Sequence, residues 1–421
     1  MQRYNFDNPV NRFGTNCVKH DEMPNTDTIA LWVADMDFET APVIREALMK
    51  RMEHGCYGYT LVPDTYYKAC VDWFSHRHGW QTEPSWYIYT SGVVPAVSAI
   101  IKGVKNFQQG ATADDLVREP NTPGCKVMIQ TPAYNCFFSS IRNNNCQLVE
   151  NRLLYRDGRY DIDWEDFERN CADDDVKIFL LCNPHNPSGR VWTADELKRM
   201  GEICKRNGVF VIADEIHCEF VNRGASFNAR EDGVDGAAVR YTPFASVSDA
   251  PCAVCVSPTK AFNIAGLQIA NIIVKDPAIR QRIDKAININ EVCDVNPFGV
   301  LALQAAYTPE GEEWLDQLND YIYANYDFAR EYIEKNLPEM TVTPLEGTYL
   351  MWVNVAAYGM SSEDFAKYLL DHANVYVNAG MMYGDVTGRD FIRVNLATQR
   401  TRLEEALERI SRTVADIRPR S

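Results

Sequence analysis

Apolar side chains recur every three to four residues in three early stretches of the chain. Between 41 and 55, Ile44, Ala47, Leu48 and Arg51 share one face, with Thr40 placed to cap the start, Pro42 suited to the first turn and Gly55 able to end it. The same spacing runs from 64 to 78 through Tyr67, Cys70, Val71 and Phe74 ahead of Gly79, and from 93 to 105 through Val97, Ile100, Ile101 and Val104. These stripes predict core-packed helices with no ligand role. The period then changes. Runs at 126–130, 176–182, 209–213 and 252–256 are almost continuously apolar, as strands covered on both faces are, and 269–274 is a fifth. Thr193-Ala194-Asp195-Glu196 has the form of a capping box that opens a helix to about Asn207. Residues 283–335 read as mostly helical. Beyond them, strands are predicted at 349–355 and 391–395 and helices at 365–372 and 402–417. The alternation predicts an α/β fold: a mainly parallel sheet flanked by helices in a large domain of residues 41–300, plus a smaller α+β domain from residues 1–40 and 301–421. Segments 108–124 and 222–251, rich in Gly, Asp, Pro and Ala, read as loop insertions.

Length supports the two-domain reading, since 421 residues exceed one ordinary core. Apolar content of 46% and charged content of 24% are those of a globular chain. A net charge of −16, from 42 basic and 58 acidic side chains, opposes binding to nucleic acid. The N-terminus shows no apolar leader, and no stretch reaches the ~18–20 continuous apolar residues of a membrane span, which predicts a cytoplasmic protein without membrane contact. Its 13 cysteines then read as reduced thiols. Cys252 and Cys255 match C-x-x-C, but i and i+3 of a strand face opposite ways, so the pair reads as two small buried hydrophobes. The seven histidines show no ligand spacing, and no metal site is predicted.

Three short motifs carry the chemistry. Lys260 lies in Ser257-Pro258-Thr259-Lys260-Ala261-Phe262-Asn263, Asn186 in Asn183-Pro184-His185-Asn186-Pro187-Ser188-Gly189, and Asp214 in Ala213-Asp214-Glu215-Ile216-His217. Singly, each has an ordinary explanation: a solvated lysine, a turn, a surface acid pair. Together they follow the ends of predicted strands, where open α/β sheets bind ligands. A lysine that forms a Schiff base, an acid that keeps a pyridine nitrogen protonated and an amide beside them suit pyridoxal 5′-phosphate.

With these segments the chain resembles fold-type I pyridoxal-phosphate enzymes of the aminotransferase class I/II superfamily, and within it the MalY/PatB group of cystathionine β-lyases. The resemblance extends through Leu31-Trp32-Val33-Ala34-Asp35-Met36-Asp37-Phe38, Tyr57-Gly58-Tyr59-Thr60, Ser91-Gly92-Val93-Val94-Pro95-Ala96, Thr131-Pro132-Ala133-Tyr134, Ala265-Gly266-Leu267-Gln268 and Phe391-Ile392-Arg393-Val394-Asn395. It implies that Lys260 carries the cofactor and removes the substrate Cα proton. It further implies that Asp214 pairs with the ring nitrogen, Asn186 bonds the ring hydroxylate and Tyr134 stacks on the ring. Gly92, Val93 and Ser257 are implied to bind the phosphate. Tyr59, with Tyr57 as rival, would reach the phosphate of the other subunit, implying a homodimer with shared active sites. Gln268 stands where many aminotransferases have a phosphate-binding arginine. Arg393 is implied to clamp the substrate α-carboxylate, His217, standing where aspartate aminotransferases carry a tyrosine near the ring hydroxyl, to make an outer contact with the cofactor, and Trp32 and Asp37 to shape the entrance and substrate pocket; His185 reads as a loop residue. The implied reaction is β-elimination of L-cystathionine or a related cysteine S-conjugate to a thiol, pyruvate and ammonia. The alternatives are an amino-acid aminotransferase, and a regulatory role through a protein partner alongside the lyase activity.

Overall fold

The computed structural model describes residues 3–106, 124–225, 238–289, 294–415 and 417. Its main sheet contains β1 (Tyr87–Thr90), β2 (Lys126–Thr131), β3 (Gln147–Arg152), β4 (Val176–Cys182), β5 (Phe210–Asp214), β6 (Cys252–Val256) and β7 (Ala270–Ile273). They lie in the order β1-β7-β6-β5-β4-β2-β3. Six strands run in one direction, and β7 alone is reversed, antiparallel to both its neighbours. The period-2 alternation of a strand sends Phe179 and Leu181 of β4 into one apolar layer and Ile178, Leu180 and Cys182 into the other. Helices cover both faces, which is why these runs are apolar throughout. Cys182 pairs with Asp214, and Asp214 with Cys255, so β4, β5 and β6 end level with one another. The three loops that follow therefore emerge side by side.

A second sheet contains β8 (Thr341–Val342), β9 (Leu350–Asn354), β10 (Asn378–Ala379) and β11 (Phe391–Asn395), ordered β8-β9-β11-β10 and antiparallel throughout. Leu350 and Trp352 of β9 join the core of the main sheet, while Met351 and Val353 join a separate core. The 28-residue helix Pro309–Asn336 spans both: Trp314, Leu315, Leu318 and Ile322 pack in the first, Tyr326, Ala329 and Ile333 in the second. Ile29–Ala30 pairs in parallel with Val375–Tyr376 in a separate two-stranded sheet just ahead of β10, which brings the N-terminal segment beside the second sheet.

Several expectations change. Residues 283–335 hold parts of three helices, Pro277–Asn288, Pro297–Ala306 and Pro309–Asn336, each opened by a proline whose missing N–H is tolerated in the first turn. Thr40 does not cap Pro42–His54; Ala41 holds that position without a side-chain bond. The sheet also gains Tyr87–Thr90 and the edge strand Gln147–Arg152, whose exposed, polar positions give no continuous apolar run. The insertion at 108–124 lies outside the described residues except for Gly124, as do 226–237 of the second. The rest of the second insertion is packed: Tyr241 and the backbone N–H of Phe244 donate to the buried Glu215 carboxylate. Cysteines among the described residues are free thiols; Cys255 is buried as the strand reading expects, whereas Cys252, the first residue of its strand, is only half-buried. No helix among the described residues is long and apolar enough to cross a membrane.

Candidate active site

The level ends of β4, β5 and β6 set the site. Asp214 is the last residue of β5 and is buried. Its carboxylate accepts the Ile216 N–H at 3.2 Å. Burial pushes it up to about 7, against the pull of that N–H and of Lys260. Lys260 follows β6 in the short helix Pro258–Ala261. Its ammonium donates to the Ala34 carbonyl at 2.7 Å. Burial and then the positive Arg393 lower it to about 8, opposed by Asp35, Asp214 and Cys136. In cofactor-free protein, labelling of Lys260 by trinitrobenzenesulfonate is therefore expected to rise through pH 8. At that pH its free-base fraction is on the order of a hundred times that of an ordinary lysine of pKa ~10.4. Peptide mapping across pH checks this; a rise only near pH 10 contradicts it.

Arg393 lies on β11, whose alternation turns Phe391, Arg393 and Asn395 away from the core that holds Ile392 and Val394. It is 3% exposed. Nη1 donates to Asn186 Oδ1 and Nη2 to the Trp32 carbonyl, both at 3.0 Å. No carboxylate among the described residues pairs with it, and its buried Nε has no partner. Asn186 thus sits in the site, fixed by Arg393. Tyr134 caps the helix Asn135–Asn143 and feels the charges of Asp214 and Arg393, with burial as the main cause of its raised pKa. His217 is buried; burial, then Lys260 and Arg393, hold its imidazole well below the usual range, so it is neutral. Gly92 caps the helix Val93–Val104, which presents the positive end of its dipole beyond β1.

Other predicted residues fall elsewhere. Asp37 does not reach the site: its buried carboxylate is held by Lys19 at 3.0 Å, His20 at 2.9 Å and Arg12 at 3.0 Å, a cluster that anchors the N-terminal segment. Trp32 contributes its carbonyl, while its indole turns to the Lys19 carbonyl. Ser257 lies beside Lys260, but its hydroxyl bonds Ile269 O at 2.5 Å and accepts the Thr259 N–H, so it serves its own turn. Tyr59 is 97% exposed and touches nothing in the site. His185, expected in a loop, is buried against Ser188 and lowered to about 3 by burial.

Sequence reasoning overlooked several residues. Tyr349 donates to the same Ala34 carbonyl as Lys260, at 2.8 Å. Asn263 bonds Met36 N, Met36 O and Phe38 O, and Asn395 bonds Val33 O and Asp35 O. These two amides staple the 31–38 segment across the join between the sheets. Their motifs were visible; their partners, more than 200 positions away, were not.

The residues fit a pyridoxal group on their own chemistry. A primary amine of lowered basicity, a buried carboxylate with one backbone donor, an unpartnered His217 Nδ1 and a buried guanidinium with an unpaired edge converge at one end of the sheet. That defines the class: an α/β fold that gathers an amine, a carboxylate and a guanidinium where such sheets bind their ligands. Residues 26–410 match the aminotransferase class I and II family, to which the chain belongs. It is 36% identical over 413 residues to cystathionine beta-lyase PatB of Bacillus subtilis, covering 96% of this chain and 98% of the relative. It is 29% identical to protein MalY of Escherichia coli over 99% of this chain and 100% of that protein. Among solved structures it superposes on pyridoxal-phosphate-containing cystalysin from Treponema denticola with a TM-score of 0.88, at 31% identity over 99% of this chain and 100% of the other. A pyridoxal-phosphate-bound C–S lyase from Staphylococcus hominis gives 0.84 at 30% identity, over 98% and 99%.

Proposed function

We propose that this protein is a pyridoxal-phosphate-dependent carbon–sulfur lyase that carries out β-elimination on L-cystathionine or a related cysteine S-conjugate. The products are a thiol (homocysteine from cystathionine), pyruvate and ammonia. The observation that carries the reading is that Asn186, Asp214 and Lys260 lie at the ends of three level strands, while Arg393 of β11, with no carboxylate partner among the described residues, reaches Asn186. When bound, pyridoxal phosphate supplies the electron sink for the charge left on substrate Cα. Lys260 holds the cofactor covalently and then, as a free amine, takes the Cα proton. Asp214, as a carboxylate, faces the ring nitrogen. Asn186 would hold the ring hydroxyl, Tyr134 would stack on the ring and His217, a neutral imidazole, would contact the cofactor from the surrounding shell. The N–H groups of Gly92 and Val93 meet the phosphate at a helix N-terminus. Arg393 pairs with the substrate carboxylate and so fixes the Cα–H bond toward Lys260. As that proton moves to Lys260, the electron pair of the Cβ–S bond leaves with sulfur.

The discriminating experiment supplies L-cystathionine with no 2-oxo acid and measures pyruvate. Steady pyruvate formation supports the lyase; strict dependence on an added 2-oxo acid makes the protein an aminotransferase. The division at residues 41–300 against 1–40 with 301–421 is part of this reading, supported by the two apolar cores and the N-terminal strand paired beside the second sheet. So is a homodimer: Met49, Met52, Tyr57, Tyr59 and Leu61 form a run of exposed large apolar side chains that a second copy would cover. Tyr59 would then reach the phosphate of the opposite site. Sedimentation of the loaded enzyme as a monomer at micromolar concentration contradicts this. The free thiols suit a cytoplasmic setting.

A further inference from the structure

We propose that Tyr383 is the positioning residue of the carboxylate clamp; this rests on the reading of Arg393 as that clamp. A buried guanidinium needs stabilisation, and the usual solution is a carboxylate partner. Such a partner would occupy the N–H edges that an anionic substrate requires. An aromatic face avoids the conflict, because it stabilises the cation from above and takes none of the in-plane donors itself. The structure has this arrangement. The Tyr383 ring lies 4.8 Å from the Arg393 guanidinium carbon and is 1% exposed. Its hydroxyl accepts from Asn378 Nδ2 at 3.0 Å, and the same nitrogen donates to the Trp32 carbonyl at 3.0 Å. That carbonyl is the acceptor for Arg393 Nη2. Strand pairing sets Asn378 directly opposite Arg393, so one amide ties the ring, the carbonyl and the clamp together. Asn186 holds Nη1, which leaves Nε as the buried donor without a partner.

The loop that presents Tyr383 is built for close contact. A Cβ on Gly380 would collide with the carbonyls of Gly388 and Phe391, and one on Gly388 with the carbonyl of Gly380. The Tyr383 carbonyl accepts Ala133 N–H at 2.7 Å, joining the loop to the residue before Tyr134. Trp352 braces the ring edge-on at 5.5 Å. An arginine side chain has many rotamers. Here the ring face and two in-plane acceptors remove that freedom before the substrate arrives, which lowers the entropy lost on binding.

The test measures 3-(methylthio)propionate, a carboxylate probe without an amine, binding to cofactor-free protein by calorimetry, and steady-state kinetics of the loaded enzyme. Tyr383→Leu is expected to weaken the probe about tenfold and raise KM similarly, with kcat within about twofold, because the contact is equally present in ground and transition states. Tyr383→Phe, which keeps the ring, should stay within about threefold of wild type in both. An unchanged probe affinity in Tyr383→Leu, or a loss of kcat in place of the KM effect, overturns the proposal. Arg393→Ala separates the two readings. If it leaves probe binding intact, the clamp reading fails; if it abolishes binding while Tyr383→Leu does not, only the role of Tyr383 fails. Should the leucine variant not fold, Tyr383→Met gives the same reading with a flexible side chain of similar reach; failure of both to fold marks the ring as structural and ends the proposal.

Discussion

Lys260→Ala is expected to lower pyruvate formation from L-cystathionine by about a thousandfold or more, the range seen when a positioned general base is lost. The geometry leaves no obvious substitute. Tyr349, which shares the Ala34 carbonyl with Lys260, is kept protonated by burial, its pKa raised well beyond the physiological range. His217 is buried and neutral, and among the described residues it hydrogen-bonds neither the lysine nor the Ala34 carbonyl. A small added amine such as methylamine should restore part of the activity, since the substitution opens space beside Ala34 without touching Asp214 or Arg393. Borohydride treatment followed by peptide mapping should find the cofactor adduct on the 260 peptide in wild type and none in the variant. Turnover within tenfold of wild type would mean that another group removes the proton.

Asp214→Asn is expected to reduce turnover by about a hundred to a thousandfold, comparable with loss of one preorganised electrostatic contact at a site of developing charge. The same substitution has an opposite and separable effect on stability without cofactor. The folded-state pKa of Asp214 is raised to about 7, whereas an unfolded aspartate titrates near ~3.9. Between these values the folded chain binds more protons than the unfolded one. The contribution of Asp214 to stability is therefore greatest at low pH and is lost as pH rises through 7. Asparagine does not ionise. The melting temperature of Asp214→Asn relative to wild type should thus climb by a few degrees from pH 5 to pH 8 in cofactor-free protein. With cofactor bound, a protonated ring nitrogen offsets the carboxylate charge, and wild type should become the more stable form at pH 8. A difference between the two proteins that stays flat with pH would show that Asp214 is not a desolvated acid of raised pKa. The comparison with the variant matters because buried His185, lowered to about 3, contributes stability of the opposite pH slope in both proteins.

The limits of the sequence reading are visible in individual residues. Asp214, Asn186 and Lys260 could be placed because each follows an apolar run by a few positions, and strand ends in such sheets are where loops gather. Asp37 could not, because nothing local distinguishes a pocket carboxylate from one neutralised by Lys19, His20 and Arg12. Ser257 fits a phosphate ligand by position, yet its hydroxyl is drawn into its own turn by the Ile269 carbonyl. Tyr383 carried no signal, since its ring matters only where β10 and β11 bring Asn378 and Arg393 face to face.

The order of apolar runs and helical stripes determined the layered α/β fold, and three polar motifs after those runs determined the kind of cofactor chemistry. Period and turn residues are local properties that a linear chain displays. Only the tertiary structure decided which carbonyl receives the Lys260 ammonium, which acids are neutralised and which cation is left without a carboxylate. Hydrogen bonds and desolvation depend on neighbours hundreds of positions away, such as Ala34 beside Lys260 and Trp32 beside Arg393.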